Sequence, residues 1–321
     1  MYTIAYMQPI NLKKAILRTL AYFDVQSYPL TATEIEFFLY KLSWTDFENL
    51  LVVLGEMIIE GSLGEKYGYY YLPNREILVE NRQRNLVVSE LKLKKARRAI
   101  KFIKAVPFLR AIFVCNTVAA GTASQISDID FFVIAAADRV WLVRFFTNLI
   151  LRLFGLRTYG QKTRDKICLS FFVDENNLNL GKLRALDHDI HFIYWIASLI
   201  PIYDTHNYWK RFFSANYWIK DFLPNFQPNF ALSNILTPGK IGKIWQKAWE
   251  TMWTGDYGKL LEKQSRDLQM FKMKINLKER ANKSDNSIVI NDGIIKLHEH
   301  DSRCDCASLW QNKINELGIN L

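Results

Sequence analysis

Residues 110–134, RAIFVCNTVAAGTASQISDIDFFVI, decide how the middle of this chain is expected to fold. The segments 110–115 and 129–135 predict two strands, and the small residues between them predict a turn with a short helical piece. Asp128 and Asp130 stand two positions apart where the second strand begins. Side chains at this spacing point to one face of a strand, about 6–7 Å apart. Two carboxylates beside a turn rich in Thr, Ser and Gly suit a divalent cation that carries phosphates.

The 321-residue chain is long enough for two or three domains with large cores. Half of the residues are apolar and 14% are aromatic, so disorder over most of the length is not expected. The longest apolar run, 190–203, is too short to span a bilayer, and the N-terminus lacks the pattern of a signal peptide. Four cysteines are too few for a disulfide framework in a chain of this length. We therefore expect a cytoplasmic protein with no membrane partner.

Residues 1–80 predict three helices followed by a hairpin, which is the order of a winged-helix-like domain. Thr31 and Glu34 form a potential capping box for the second helix. The third helix, 44–60, occupies the position of a DNA-reading helix but carries four acidic residues and no Lys or Arg. Because duplex binding depends on neutralising phosphates, this helix favours a packing or protein-contact role over DNA reading.

A long basic helix is predicted to connect this domain to the next over residues 81–106. Residues 81–110 hold ten Lys or Arg and one acidic residue, so much of the chain's net charge of +10 lies here. Two interpretations of the run 92–104 are open. It is either a solvated helix face or an electrostatic surface for RNA, DNA or the phosphates of a nucleotide.

The rest of the chain predicts an α+β protein in which a small sheet is accompanied by many helices. Within residues 107–180, a third strand is expected at 166–174 and a helix at 138–157. Arg144 lies on a polar stripe of that helix, where it faces either solvent or a bound nucleotide. Residues 181–321 are expected to form a mostly helical domain. Its predicted helices span 183–200, 206–222, 241–257, 258–274 and 308–317, with a short strand at 287–292.

The segment 116–130, NTVAAGTASQISDID, resembles the signature of the nucleotidyltransferase superfamily related to DNA polymerase β. In that family a Gly-Ser pair ends one strand, and an Asp-x-Asp motif followed by an apolar run begins the next. The order of the three parts of the chain also resembles that of prokaryotic proteins predicted to belong to the superfamily. The resemblance implies a small mixed sheet with helices on one side, and an NTP as substrate.

The resemblance also assigns roles to residues of this chain. Asp128 and Asp130 would be the catalytic pair that holds Mg²⁺ or Mn²⁺. Asn116 and Thr117 stand at the Gly-Ser pair and would contact the nucleotide's phosphates. Ser127 would orient the aspartates or touch phosphate. A hydroxyl on an RNA end, a small molecule or a protein would receive the nucleotidyl group.

The chain departs from the family's pattern at two places. Asn116 replaces the glycine, although asparagine tolerates a left-handed backbone better than most residues. Active members supply a third carboxylate from a neighbouring strand, and here Asp174 is the candidate. Asp165 lies just before the same strand, but at a position whose side chain would point to the other face. Without a third acid, the alternative is a catalytically inactive nucleotide- or nucleic-acid-binding regulatory protein with the same fold.

A second group of potential metal ligands lies at 298–306, HEHDSRCDC. Two His and two Cys suit zinc, but their crowding into nine residues is not a common zinc spacing. Ordinary surface and half-buried residues are the preferred interpretation, and a structural zinc site is the alternative.

Overall fold

The computed structural model describes residues 9–44, 46–185, 189–228, 230, 235–277, 288–297 and 302–319. These ranges form a mixed α+β protein with one six-stranded mixed sheet and one three-stranded antiparallel sheet. The α+β class predicted from the sequence is confirmed. Within the same ranges, none of the helices combines the length and the apolar character that crossing a bilayer requires.

The N-terminal unit has the order of helices and hairpin that the sequence predicts. Thr31 and Glu34 form the expected capping box, and Asp46 caps the third helix by accepting from the N–H of Asn49. The first and second strands both pair with the third. The elements are α1 (Pro9–Val25), β1 (Leu30–Thr31), α2 (Ala32–Phe37), α3 (Phe47–Ile59), β2 (Gly64–Lys66) and β3 (Tyr69–Tyr71).

Helix α4 (Ile77–Ile103) connects this unit to the large sheet in one run of 27 residues, as predicted. Arg82, near its start, joins the helix to the N-terminal unit. The Arg82 guanidinium lies over the rings of Tyr28 and Tyr69 and pairs with the Glu34 carboxylate at 2.7 Å. The apolar side of α4 further along packs against the large sheet.

The large sheet is built around the three strands that the sequence predicts. Strand β4 (Leu109–Cys115) pairs antiparallel with β5 (Ile129–Ala135), and β5 pairs parallel with β6 (Ile167–Asp174). Three more strands complete the order β7-β4-β5-β6-β9-β8. They are β7 (Ile200–Asp204), β8 (Ile288–Ile290) and β9 (Ile294–Leu297).

Helices cover both faces of this sheet, which explains why β5 is apolar on both sides after Asp130. Phe113 and Phe132 face one cluster of buried residues, and Phe131 and Val133 face the other. The first cluster includes α7 (Ile190–Ser198), α8 (Tyr208–Ala215) and α11 (Arg303–Glu316). The second includes α4, α6 (Val140–Leu153) and α10 (Gly255–Leu277). The remaining helices are α5 (Asn116–Ala119) and α9 (Lys240–Met252).

The prediction of one helix over 183–200 is confirmed only in part. Among the described residues, α7 covers Ile190–Ser198, and residues 200–204 form β7 at the edge of the sheet beside β4. Pro201 is compatible with this place, because an edge strand tolerates a residue that has no N–H to donate. An apolar run by itself does not distinguish a buried helix from a buried strand. The sheet therefore extends beyond residue 180, into the part of the chain expected to be mostly helical.

Candidate functional site

Asp128, Asp130 and Cys168 form a compact group at one end of β5 and β6, which we call the Asp–Cys cluster. One potential ligand atom of each residue lies within 4.8 Å of the others. The cause is strand register, because Asp130 and Cys168 are direct partners in the parallel pair. Asp128 immediately precedes β5 and lies two residues before Asp130, so both carboxylates project to the same side.

Burial shapes the electrostatics of this cluster. It raises the pKa of Asp128, and together with the charge of Asp128 it raises the pKa of Asp130 to about 6. Burial and the charge of Asp130 raise the pKa of Cys168 to about 12. The thiol is therefore protonated at neutral pH, and hydrogen bonding from its single S–H lowers the pKa of either carboxyl, against the effect of burial. Two carboxylates whose mutual repulsion is only partly relieved favour a cation between them.

Asn116 lies beside the cluster in the conformation that the sequence suggests. Its φ is +56°, in the left-handed region where the family's glycine would be expected. Its side chain donates to Asp130 and accepts from the indole N–H of Trp195 at 2.8 Å. Thr117 follows with an exposed side chain at the start of α5. The structure thus brings Asn116 next to the carboxylates, with Thr117 adjacent to it in the chain.

Ser127 stabilises the turn that precedes Asp128 and Asp130. Its hydroxyl accepts from the N–H of Ser124 at 3.0 Å and shares a hydrogen bond with the Ser124 hydroxyl. The carbonyl of Ser127 accepts from the ammonium of Lys92 at 2.7 Å. Lys92 is only 2% exposed and also pairs with Asp165 at 2.8 Å. The sequence placed Lys92 in a basic run and offered no signal that it would hold this turn.

Two arginines near the cluster have different surroundings. Arg157 interacts electrostatically with Asp128 and Cys168, and its Nε donates to Asn148 at 2.7 Å. Sequence reasoning missed Arg157, which lies in a loop without a recognisable motif. Arg144, the predicted nucleotide contact, instead donates to Gln269 of α10 at 2.6 Å. Burial, and then the charges of Arg157 and Arg152, lower the pKa of Arg144 to about 10.

The two candidates for a third carboxylate do not join Asp128 and Asp130. Asp174 pairs in register with Ala135 at the other end of β5, six residues and roughly 20 Å along the strand from Cys168. Its carboxylate accepts from Asn177 and from the N–H of Asn176 instead. The expectation that Asp174 completes the metal site is therefore corrected. Although burial opposes ionisation, hydrogen bonds from Lys92 and Lys95 lower the pKa of Asp165 and occupy its carboxylate.

The basic run 92–104 divides into buried, paired and exposed positions. Lys92 is buried, and Lys95 pairs with Asp165 at 2.7 Å. Lys94, Arg98 and Lys101 are exposed along α4. These three side chains are the part of the run that remains a candidate for contact with nucleic acid or phosphates.

The two cysteines near the C-terminus, Cys304 and Cys306, lie in different environments. Cys304 is exposed, whereas Cys306 is buried and accepts from Gln26 at 3.5 Å. The other two proposed zinc ligands, His298 and His300, lie outside the described residues. In the part of the chain that is described, the only metal-competent grouping is the Asp–Cys cluster.

The cluster can hold a hard cation through two carboxylates, with Arg157 close enough to stabilise an anion that the cation carries. Comparisons of the chain with protein-family models, curated proteins and solved structures gave no match.

Proposed function

We propose that this protein is a nucleotidyltransferase that moves a nucleotidyl group from an NTP to an acceptor hydroxyl. The observation that supports the proposal most directly is the convergence of the Asp128 and Asp130 carboxylates beside the left-handed Asn116. These residues are also the ones through which the sequence resembles the superfamily related to DNA polymerase β.

The donor set fits magnesium or manganese. Proteins commonly bind Mg²⁺ through one or two carboxylates while substrate phosphates and water complete the coordination. The protonated Cys168 is a poor partner for such a hard ion, so Asp128 and Asp130 would be the protein ligands. When bound, the ion neutralises charge on the triphosphate and orients it for attack.

The other residues of the site have roles that follow from their positions. Asn116 and Thr117 shape the turn against which the phosphates would lie, and Arg157 contributes a positive charge beside Asp128.

Cys168 supports a second candidate function, a regulatory protein that binds nucleotide without turnover. Its thiol occupies the place beside Asp130 where an active superfamily member would be expected to have a third acid. In this version the exposed Lys94, Arg98 and Lys101 would add salt-sensitive binding of RNA or DNA. Reversing these three charges would then weaken nucleic-acid binding and flatten its dependence on salt, as measured by a mobility shift at several salt concentrations.

The direct test is binding and turnover of the four α-labelled NTPs with Mg²⁺ or Mn²⁺, in the presence of total RNA or the protein alone. We expect metal-dependent NTP binding that Asp128→Asn weakens at least about tenfold, because a metal ligand is lost. Asp267→Asn, an exposed position on α10 with the same change of charge, is the matched control.

The outcomes separate the two candidates. Pyrophosphate release that depends on Asp128 supports the transferase. Metal-dependent NTP binding without pyrophosphate release under any acceptor condition supports the regulatory protein. Absence of metal-dependent NTP binding by the wild-type protein contradicts both.

A further inference from the structure

A cavity of about 480 Å³ begins beside the Asn116 turn. Its described walls come from α1 and α2 of the N-terminal unit, the sheet with its turn at 116–122, and α7. Residues 226–228, Phe230 and the start of α11 add to them. Its volume lies in the range of pockets that hold small organic ligands. Such pockets form preferentially where separate units of a protein meet, as they do here.

Aromatic rings dominate the wall of this cavity. The Trp195 ring stacks on Phe192, with centroids 5.6 Å apart, and on Phe171 at 5.7 Å. Phe38 and Tyr194 continue the wall from the N-terminal unit and from α7. A wall of this kind favours a flat aromatic ligand, because aromatic rings pack well against the faces and edges of other rings.

Charged side chains at the described part of the cavity are paired within the protein. Arg303 lines the cavity and pairs with the buried Asp189 at 3.2 Å. Glu34, the acidic residue among the described lining side chains, is paired with Arg82 at 2.7 Å. These pairings leave the aromatic rings as the main recognition surface, which suits an uncharged ligand.

One hydrogen-bonded residue separates the aromatic wall from the Asp–Cys cluster. Asn116 lines the cavity, accepts from Trp195 at 2.8 Å and donates to Asp130. A ligand that packs beside Trp195 and reaches Asn116 would thus have one end separated from the Asp130 carboxylate by the Asn116 side chain. This arrangement assigns a role to the N-terminal unit in enclosing the ligand. Its helices α1 and α2 line the cavity, whereas its acidic α3 does not.

We propose that the cavity binds the acceptor, a small molecule with an aromatic ring system and a hydroxyl group. The inference rests on the proposed transferase function and names its substrate class. In the reaction, the acceptor oxygen bonds to the α-phosphorus of the NTP, and the bond from that phosphorus to the bridging oxygen breaks. Pyrophosphate leaves with that electron pair, and the hydroxyl proton passes to water.

The test uses 2-(2-naphthyl)ethanol as a probe alcohol and 2-ethylnaphthalene as the probe without a hydroxyl. Binding is measured by calorimetry on the full chain without NTP, and pyrophosphate release is measured with Mg²⁺ and each NTP. Ser198→Phe places a ring in the cavity, and Ala120→Phe does the same at its exposed rim, in case the first variant does not fold. Gln264→Phe on the exposed side of α10 is the matched control.

We expect saturable binding of both probes to the wild-type protein and the control, at least tenfold weaker in either blocking variant. Only the alcohol should increase pyrophosphate release. Absence of saturable binding, or equal binding in the blocked variants, overturns the proposal for the cavity. Probe binding together with NTP binding, but without probe-dependent release, overturns the acceptor role.

A different set of results would contradict the proposed transferase function. Loss of metal-dependent NTP binding alongside intact probe binding would contradict the proposed function while leaving the cavity as a site for aromatic ligands. NTP turnover with another acceptor, alongside absent probe binding, would contradict only the inference about the cavity.

Discussion

Cys168 is the residue that distinguishes the two proposed functions, nucleotidyl transfer and nucleotide binding without turnover. The Cys168 thiol, with a pKa of about 12, keeps its one proton for hydrogen bonding with the Asp128 or Asp130 carboxylate, where a third carboxylate would instead repel them. The thiol therefore relieves the repulsion that a cation would otherwise relieve. The metal-free cluster is stabilised as a result, at a cost to metal affinity.

Cys168→Asp is expected to tighten Mg²⁺ binding, because it adds a hard oxygen ligand in register with Asp130. The gain should be about tenfold or more, which corresponds to roughly 1.4 kcal/mol. Calorimetric titration of Mg²⁺ in the presence of ATP measures it. Cys168→Ser, which changes the side chain without adding charge, is the control, and equal affinity in the two variants would contradict the proposed geometry.

Asp130 gives the site a pH dependence of definite sign. Its pKa in the folded protein is about 6, above the ordinary value of an aspartic acid, so folding favours the protonated form. The stabilisation from protonated Asp130 is complete below about pH 4 and is lost as the pH rises through about 6. Asp130→Asn should therefore raise the free energy of unfolding of the metal-free protein at about pH 7.5, by roughly 1–2 kcal/mol after allowing for solvent screening.

Urea unfolding at about pH 7.5 and again at about pH 4 checks this expectation. The difference between Asp130→Asn and wild type should shrink at the lower pH, since both side chains are then neutral. A variant less stable than wild type at the higher pH would show that burial does not raise the pKa of Asp130.

At the scale of elements, α4 positions the site in addition to connecting two units. Arg82 anchors its first half to the N-terminal unit, and Lys92 reaches the carbonyl of Ser127 just before Asp128. Because α4 is one continuous helix, these two contacts are held in a fixed relation. The basic composition of α4 therefore has a structural part, which its charge pattern alone did not reveal.

Lys92→Met is expected to destabilise the protein and to loosen the turn that places Asp128. The variant removes the donor to the Ser127 carbonyl and one of the two close ion pairs of Asp165. Since Asp165 is 28% exposed and keeps Lys95, the loss of unfolding free energy should be about 1–3 kcal/mol. Lys94→Met, at an exposed position on the same helix, should stay within about 0.5 kcal/mol of wild type. Chemical unfolding compares them, and equal stabilities would contradict a structural role for Lys92.

At the scale of the whole molecule, the N-terminal unit and the region around α7 share one aromatic core. Tyr194 stacks on Tyr22 with centroids 4.2 Å apart, and its hydroxyl donates to the carbonyl of Phe38 at 2.9 Å. At the other end of the chain, the Trp310 indole donates to the carbonyl of Arg18 at 3.0 Å. These contacts should make the described parts of the chain unfold as one cooperative unit.

Tyr194→Ala is expected to lower the free energy of unfolding by about 3–5 kcal/mol, because it removes a buried ring and a hydrogen bond between units. Tyr217→Ala, at a position 66% exposed, should have little effect. Thermal unfolding followed by both circular dichroism and fluorescence tests this. Two separate transitions in the wild-type protein would contradict the cooperative unit.

Local sequence determined the central strands, the capping box and the facing of Asp128 and Asp130. Strand parity and helix capping depend on residues only a few positions apart, so they can be deduced from the chain itself. The left-handed backbone at Asn116 was foreseeable for the same reason, because asparagine tolerates it.

Only the tertiary structure decided what stands beside the two aspartates and what encloses the neighbouring cavity. The parallel register of β5 and β6 brings Cys168 to Asp130 and carries Asp174 to the opposite end, and register is a property of two strands together. The sequence did not predict the strand at 200–204, because an apolar run has the same composition in a buried helix and in a buried strand. The cavity likewise arises from segments that are distant in the sequence, whose contact is set by the packing of the whole chain rather than by any local pattern.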